Sequence, residues 1–138
     1  MNDILLKVQT YLDKVNKESI EISDTLVEEF GEACKSALRK QFSEKRNEGF
    51  KPRMSSIGRP LCQLQMEAKN VKGEGQPYNT KMRNTFGDLI EALAIFVMKS
   101  AGVEVKDEQK KVKLKFKESE IEGRLDVKID EKVWDIKS

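Results

Sequence analysis

Gly123-Arg124-Leu125-Asp126-Val127-Lys128-Ile129-Asp130-Glu131-Lys132-Val133-Trp134-Asp135-Ile136-Lys137-Ser138 are the last sixteen residues of the sequence. Their alternation of apolar and polar side chains has the period of a strand, and it runs through two short segments. Taking Asp130-Glu131 as a two-residue turn predicts a hairpin in which Asp126 lies opposite Asp135. One face then carries Leu125, Val127, Ile129, Trp134 and Ile136, and the other carries Asp126, Lys128, Asp135 and Lys137. Two carboxylates facing each other across a strand pair repel, and like charges there destabilise the pair. A divalent cation is the usual compensation, because hard cations take oxygen ligands. Lys137, two residues beyond Asp135, falls on the same face beside the same site.

Working outward, the 138 residues are read as one domain with room for a real core. Charged residues make up 36% and the net charge is only +2, so local clusters rather than overall balance must indicate partners. No stretch reaches the roughly 18 apolar residues of a membrane span. Acidic and polar residues interrupt every apolar run from Met1 to Asp13, so this stretch does not read as a signal peptide. The two cysteines, Cys34 and Cys62, give no disulfide framework, and a reducing, cytoplasmic location is the default. The sequence has no histidine. That excludes Ser-His-Asp and Cys-His nucleophilic sites, HExxH zinc sites and histidine-based metal nucleases. Catalysis, if present, must use carboxylates, lysine or a metal held by oxygen.

Helices precede this segment. Ile4, Leu5, Val8, Leu12 and Val15 have helical spacing within 3–17. Ser23 or Asp24 can cap a second helix, with Glu28 close to the capping-box position. Its stripe is Leu26, Val27, Phe30, Cys34, Ala37, Leu38 and Phe42, running to about residue 47 and stopping at Gly49. Gly49, Pro52, Gly58 and Pro60 mark a loop with a helix start at Ser55-Ser56. Leu61, Leu64, Gln65 and Ala68 suggest a short helix ending before Gly73, and 72–80 reads as loop. Residues 81–101 form the strongest helix. Phe86, Leu89, Ile90, Leu93, Ile95, Phe96, Val97 and Met98 cover nearly its whole circumference, which predicts a largely buried element with Gly102 as its stop. From 103 to 117 the period becomes two, with Val112, Leu114 and Phe116 opposite Lys111, Lys113, Lys115 and Lys117. Helices followed by a small, mostly antiparallel sheet predict an α+β fold.

Glu91 lies inside the apolar helix, flanked by Ala92, Ala94 and Ile95. A buried carboxylate without a partner is costly. The plainer alternative puts it on a thin solvent stripe with Asn84 and Asp88. Asp126 and Asp135 taken singly read as solvated strand residues. Their joint order is informative: a glutamate in an apolar helix, then Gly-x-x-Asp on a strand, then Asp-x-Lys on the next.

This order resembles the PD-(D/E)XK nuclease superfamily, in particular its RecB-like and phage-exonuclease branch. The resemblance rests on Gly87-Asp88-Leu89-Ile90-Glu91, Gly123-Arg124-Leu125-Asp126 and Asp135-Ile136-Lys137. Upstream, Met54-Ser55-Ser56-Ile57-Gly58-Arg59-Pro60-Leu61-Cys62-Gln63-Leu64 looks like that branch's Ser-Ser-x-Gly-x-Cys-x-Arg-x-x-x-Tyr segment. It is displaced by a residue and lacks the arginine after the cysteine. The resemblance implies a restriction-endonuclease-like core over 54–138, with 1–50 as a helical N-terminal part. It implies that Glu91, Asp126, Asp135 and the Ile136 carbonyl hold one or two Mg²⁺ or Mn²⁺ ions. It implies that Lys137 orients the attacking water or stabilises charge in phosphodiester hydrolysis. The implied activity is a metal-dependent deoxyribonuclease, an exonuclease of recombination, repair or phage DNA processing, acting in the host cytoplasm if phage-encoded.

The pattern departs from the family in two ways. Family members continue after the lysine with a Gln-x-x-x-Tyr helix and further strands, so the resemblance implies a C-terminally truncated core here. A truncated sheet leaves an edge that can pair with another copy in a homo-oligomer. CRISPR-associated members hold an iron–sulfur cluster through a cysteine near position 62 and three beyond the core. Those three are absent, so no such cluster is expected, and Cys62 reads as a small core residue.

Local charge supplies candidate DNA contacts. Arg39, Lys40, Lys45, Arg46, Lys51, Arg53 and Arg59 stand against Glu44 and Glu48, a local net charge of +5. Lys81 and Arg83 begin the apolar helix. Lys51, Arg53, Arg59 and Arg83 are candidate phosphate contacts, joined by Ser55 and Ser56 at a helix start. The plainer reading is a solvated helix end and loop. The lysines at 111–117 read as a soluble edge or, alternatively, a DNA track. Two rival functions remain open. One is a non-catalytic nucleic-acid-binding or assembly domain on an incomplete nuclease core. The other is a small α+β interaction domain with a merely solvated acidic face.

Overall fold

The computed structural model describes residues 2–43, 50–69, 71 and 77–137. Four helices come first: α1 (Asn2–Lys17), α2 (Asp24–Phe42), α3 (Leu61–Ala68) and α4 (Tyr78–Ser100), with a 3₁₀ turn at Met54–Ser56 before α3. Five short strands follow: β1 (Val105–Lys106), β2 (Lys111–Phe116), β3 (Ser119–Arg124), β4 (Val127–Ile129) and β5 (Lys132–Trp134). Every ladder between these strands is antiparallel, so the α+β expectation holds. The expected end of the second helix near residue 47, the basic pair Lys45 and Arg46, and Gly49 and Gly73 lie outside the described residues.

Helix ends follow local chemistry. Ser23 takes the N-cap position of α2 with extended backbone, and its side chain makes no capping hydrogen bond. Asp24 in the first turn and Arg39 and Lys40 in the last complement the helix dipole. At the end of α4, Gly102 has φ +77°, where a side chain is disfavoured. Its N–H bonds the Lys99 carbonyl at 3.0 Å, and the Val103 N–H bonds that of Met98 at 3.0 Å. This is a Schellman stop, and Val103 and Met98 meet in the core as that motif favours.

The helices α2 and α4 pack antiparallel. Ala37 and Ala92 are buried, and small side chains there let the helices approach. Phe30 and Phe96 stack at 5.8 Å, tilted 51°. Lys99 pairs with Glu29 at one end and Lys40 with Asp88 at the other. The core proper is Val103, Val127 and Ile129, with Ile4 of α1, Ile95 and Met98 of α4, Val105, Trp134 and Ile136 packed around it.

The expectation that α4 is largely buried is not met. Phe86 is 56% exposed, Ile90 46% and Leu93 50%. A helix apolar all round needs cover on every side, and among the described residues α4 packs mainly on α2, with α1, β1 and the Val103–Val127–Ile129 core at its end. Cys62, expected as a core residue, is exposed on α3.

The hairpin register agrees with the sequence reading: Val127 pairs with Trp134, Lys128 with Val133 and Ile129 with Lys132. Asp130 and Glu131 have φ of 49° and 61°, the two left-handed residues of a type I′ turn. Two expected strands are each divided. Residues 103–117 split into β1 and β2, and 123–130 split between β3 and β4. The cause is an extra residue. Lys106 pairs with Lys128, and Lys111 with Arg124. Four residues (107–110) lie between the first members of these pairs and three (125–127) between the second. The surplus residue makes a bulge, and β2–β3 becomes a separate sheet from β1-β4-β5. The last strand ends at Trp134, so Asp126 and Asp135 sit one pair beyond the ladder.

Candidate functional site

Asp126 and Asp135 face each other at the open end of the β4–β5 hairpin, as the register requires. The Ile136 N–H donates to Asp126 Oδ2 at 3.0 Å. Lys137 Nζ lies 3.0 Å from Asp135 Oδ2, both side chains being exposed. Asp126, Asp135, Lys137 and the Ile136 backbone are therefore together.

Glu91 comes from the half-buried polar stripe of α4, with Asn84 and Asp88. That stripe is not merely solvated. Asp88 accepts from Lys40 and Gln41 of α2, and Glu91 Oε1 accepts from the side-chain amide of Gln109. Glu91 also lies within the electrostatic reach of Asp126. Among the described residues, no three His, Cys, Asp or Glu side chains converge at the spacing of a closed metal cage.

Electrostatics separates the three acids. Burial first, then the Asp126 charge, pushes Glu91 above its ordinary value, against the Gln109 hydrogen bond that favours the ionised form. Burial likewise raises Asp126, with a hydrogen bond to Asp135 adding to it and the Ile136 N–H opposing. Lys137, and then the hydrogen bond from Asp126, hold Asp135 below its ordinary value. Hard oxygen donors crowded against their own repulsion suit Mg²⁺ or Mn²⁺ chemically.

The same imbalance predicts a pH dependence. A carboxyl raised on folding makes the folded state hold its proton more tightly than the unfolded state does. The stability it contributes is present in acid, below its unfolded value, and is lost as pH rises through its raised folded value. At pH 7 Asp126 is therefore a cost, and Asp126→Asn should stabilise the fold by about 0.5 kcal/mol, the scale of a like-charge cross-strand pair. Urea titrations in EDTA across a falling pH series check this: the gain should shrink as acid protonates the parent Asp126.

The upstream segment docks beside these strands. The Glu122 N–H bonds the Pro52 carbonyl at 3.2 Å, and Arg53 bridges to Glu122. The Met54 side chain lies over Gly123, where an added Cβ would come within 2.5 Å of its sulfur. This contact gives the glycine of Gly123-Arg124-Leu125-Asp126 a packing reason, and it brings Ser55 and Ser56 to the strand that leads to Asp126.

The candidate phosphate contacts divide. Arg59 is paired with Glu67 at 3.1 Å and Lys40 with Asp88 at 3.1 Å. Lys51 and Arg53 are exposed along the docked segment. Arg83 lines a shallow groove on α4 with Tyr78, Met82, Phe86 and Ile90. The lysine face of β2 is partly neutralised, since Lys113 pairs with Glu120 at 2.6 Å and Glu122 at 3.3 Å. Those partners lie on β3, opposite β2, which favours a soluble edge over a DNA track.

Gln109 is the site residue that sequence reasoning missed. Nothing in its neighbours marks it, and the one signal for it is the register offset between two strand pairs.

No described helix is long and apolar enough to cross a membrane. Comparison with known proteins returned no match for this chain among protein families, curated proteins or solved structures.

Proposed function

We propose that the chain is a metal-dependent deoxyribonuclease of PD-(D/E)XK type, hydrolysing phosphodiester bonds as an exonuclease in recombination, repair or phage DNA processing in the cytoplasm. The observation that carries this reading is the facing pair Asp126 and Asp135 with Lys137 on Asp135, and Glu91 close enough to be raised by the Asp126 charge. Glu91, Asp126, Asp135 and the Ile136 carbonyl would hold the ions, one or two Mg²⁺ or Mn²⁺. When bound, such an ion neutralises phosphate charge and lowers the pKa of bound water. Lys137, charged and exposed at the rim, places an ammonium where negative charge develops on the phosphate. The Ile136 N–H keeps Asp126 turned toward Asp135.

The substrate surface would be the docked segment with Lys51, Arg53, Ser55 and Ser56, together with Arg83 and the α4 groove. Tyr78 is 76% exposed beside Arg83, and exposed rings next to a guanidinium suit unpaired bases. Phe86→Ala should weaken single-stranded DNA binding about tenfold, within the range of one lost base stack, and change duplex binding little. Fluorescence anisotropy on both substrates checks it. The short edge strand β5 offers the route to a homo-oligomer, although Lys132 blunts it.

Cleavage of end-labelled single- and double-stranded DNA in Mg²⁺ and Mn²⁺, with EDTA and Asp135→Ala controls, tests the proposal. Metal-dependent cleavage lost in the variant supports it, and the product ladder gives polarity. One observation favours the second reading, a nucleic-acid-binding or assembly domain: Glu91 is engaged by Gln109, and no three described acids are spaced as a cage. DNA affinity with no hydrolysis in Mn²⁺ would select that reading.

A further inference from the structure

We infer that Gln109 is a positioning residue of this site, delivered by the bulge between β1 and β2 so that its backbone bond to Asp126 places its side chain on Glu91. The inference rests on the proposed ion site and assigns it a residue from outside the three acidic motifs.

Three contacts converge on Gln109. Its backbone N–H donates to the Asp126 carbonyl at 2.9 Å. Its side-chain Nε2 donates to Glu91 Oε1. Its Oε1 accepts from Arg124 Nη1 at 3.3 Å. The amide orientation is determined by its neighbours, because an ionised carboxylate only accepts and a guanidinium only donates. The Leu125 N–H bonds the Lys110 carbonyl at 2.9 Å, so the bulge is pinned at Gln109 and at the residue after it.

The backbone conformation matches this role. Gln109 and Asp107 both have φ of 51°, which non-glycine residues rarely adopt. In an unbroken ladder Gln109 would continue the β1–β2 alternation. Its side chain instead reaches Glu91 on α4. Glu91 lies on α4 and Asp126 just before β4, far apart in sequence, and Gln109 is hydrogen-bonded to both.

The plainer alternative is a loop tether that merely joins the sheet to α4. The two differ in what they do to ion binding. Residues that orient metal ligands typically change affinity 10–100-fold when removed, and they act only through the ligand they hold. Mn²⁺ affinity of the full chain would be measured by calorimetry for the parent, Gln109→Asn, Gln109→Gly, Glu91→Ala and the Gln109→Asn/Glu91→Ala pair. Asparagine tolerates positive φ but is one methylene too short, and glycine relieves the backbone while deleting the side chain. Both should bind Mn²⁺ about tenfold more weakly, and Gln109→Asn should add nothing in the Glu91→Ala background. Unchanged affinity in both single variants would overturn the inference while leaving the ion site standing. A tenfold loss persisting without Glu91 would overturn it as well, since Gln109 would then act through the backbone at Asp126. A parent chain that binds no Mn²⁺ would overturn the ion site and this inference together.

Discussion

Asp126→Ala is expected to abolish metal-dependent cleavage, a fall of about 10³-fold or more, while nucleic-acid affinity stays within about twofold. Asp126 is the one acid in electrostatic contact with both others: Asp135 across the hairpin and Glu91 from the helix. Without it, Asp135 keeps only its Lys137 partner, and the proposed donor set loses its centre. The Ile136 N–H loses its acceptor as well, at a partly exposed hairpin end where water can replace it. The fold should survive, because the substitution also removes a charge that burial and Asp135 disfavour. Lys51, Arg53 and Arg83 are untouched, so binding is retained. Single-turnover cleavage alongside anisotropy separates the two quantities. A parallel loss of binding and cleavage would mean that Asp126 supports the fold rather than the chemistry.

Val127→Asp should cost about 3–5 kcal/mol, a large part of the 5–15 kcal/mol that holds a domain together. Val127 is the one described large side chain with no exposed surface, and it sits among Val103, Ile129, Ile4 and Trp134. A carboxylate there would lie among apolar side chains. Loss of β4 frees the β5 hairpin, and Asp126 and Asp135 lose their facing geometry with it. Val127→Ala is the graded control, at about 2 kcal/mol for two methyl groups and the space they leave. Trp134 is the only tryptophan, so its near-ultraviolet dichroism reports the hairpin directly. Denaturant titration by that signal should give a large midpoint shift for aspartate and an intermediate one for alanine. A Val127→Asp chain as stable as the parent would remove Val127 from the core.

Much of the fold was legible because it depends on local chemistry. The Asp130-Glu131 turn and the alternation on either side set the register, and the structure pairs Val127 with Trp134 as that register requires. Gly102 ends α4 by a motif written in six consecutive residues, 98–103. What was not legible depends on partners. The division of 103–117 and 123–130 follows from a bulge, which appears only when the two segments are aligned. The exposure of Phe86, Ile90 and Leu93 follows from what covers α4, and hydrophobic periodicity does not specify the cover. Lys113 looked like part of a basic face until Glu120 and Glu122 lay opposite it. At the candidate site, the proximity of Asp126, Asp135 and Lys137 was readable from register. Gln109 was not, because its role comes from the strand offset.

The most direct test of the central claim is manganese-edge anomalous diffraction from crystals of the chain grown in Mn²⁺. The account predicts an anomalous peak about 2.0–2.6 Å from carboxylate oxygens of Asp126 and Asp135, with Glu91 completing the shell directly or through water. A fully occupied peak elsewhere, or none beside the Asp126–Asp135 pair at saturating Mn²⁺, would contradict it.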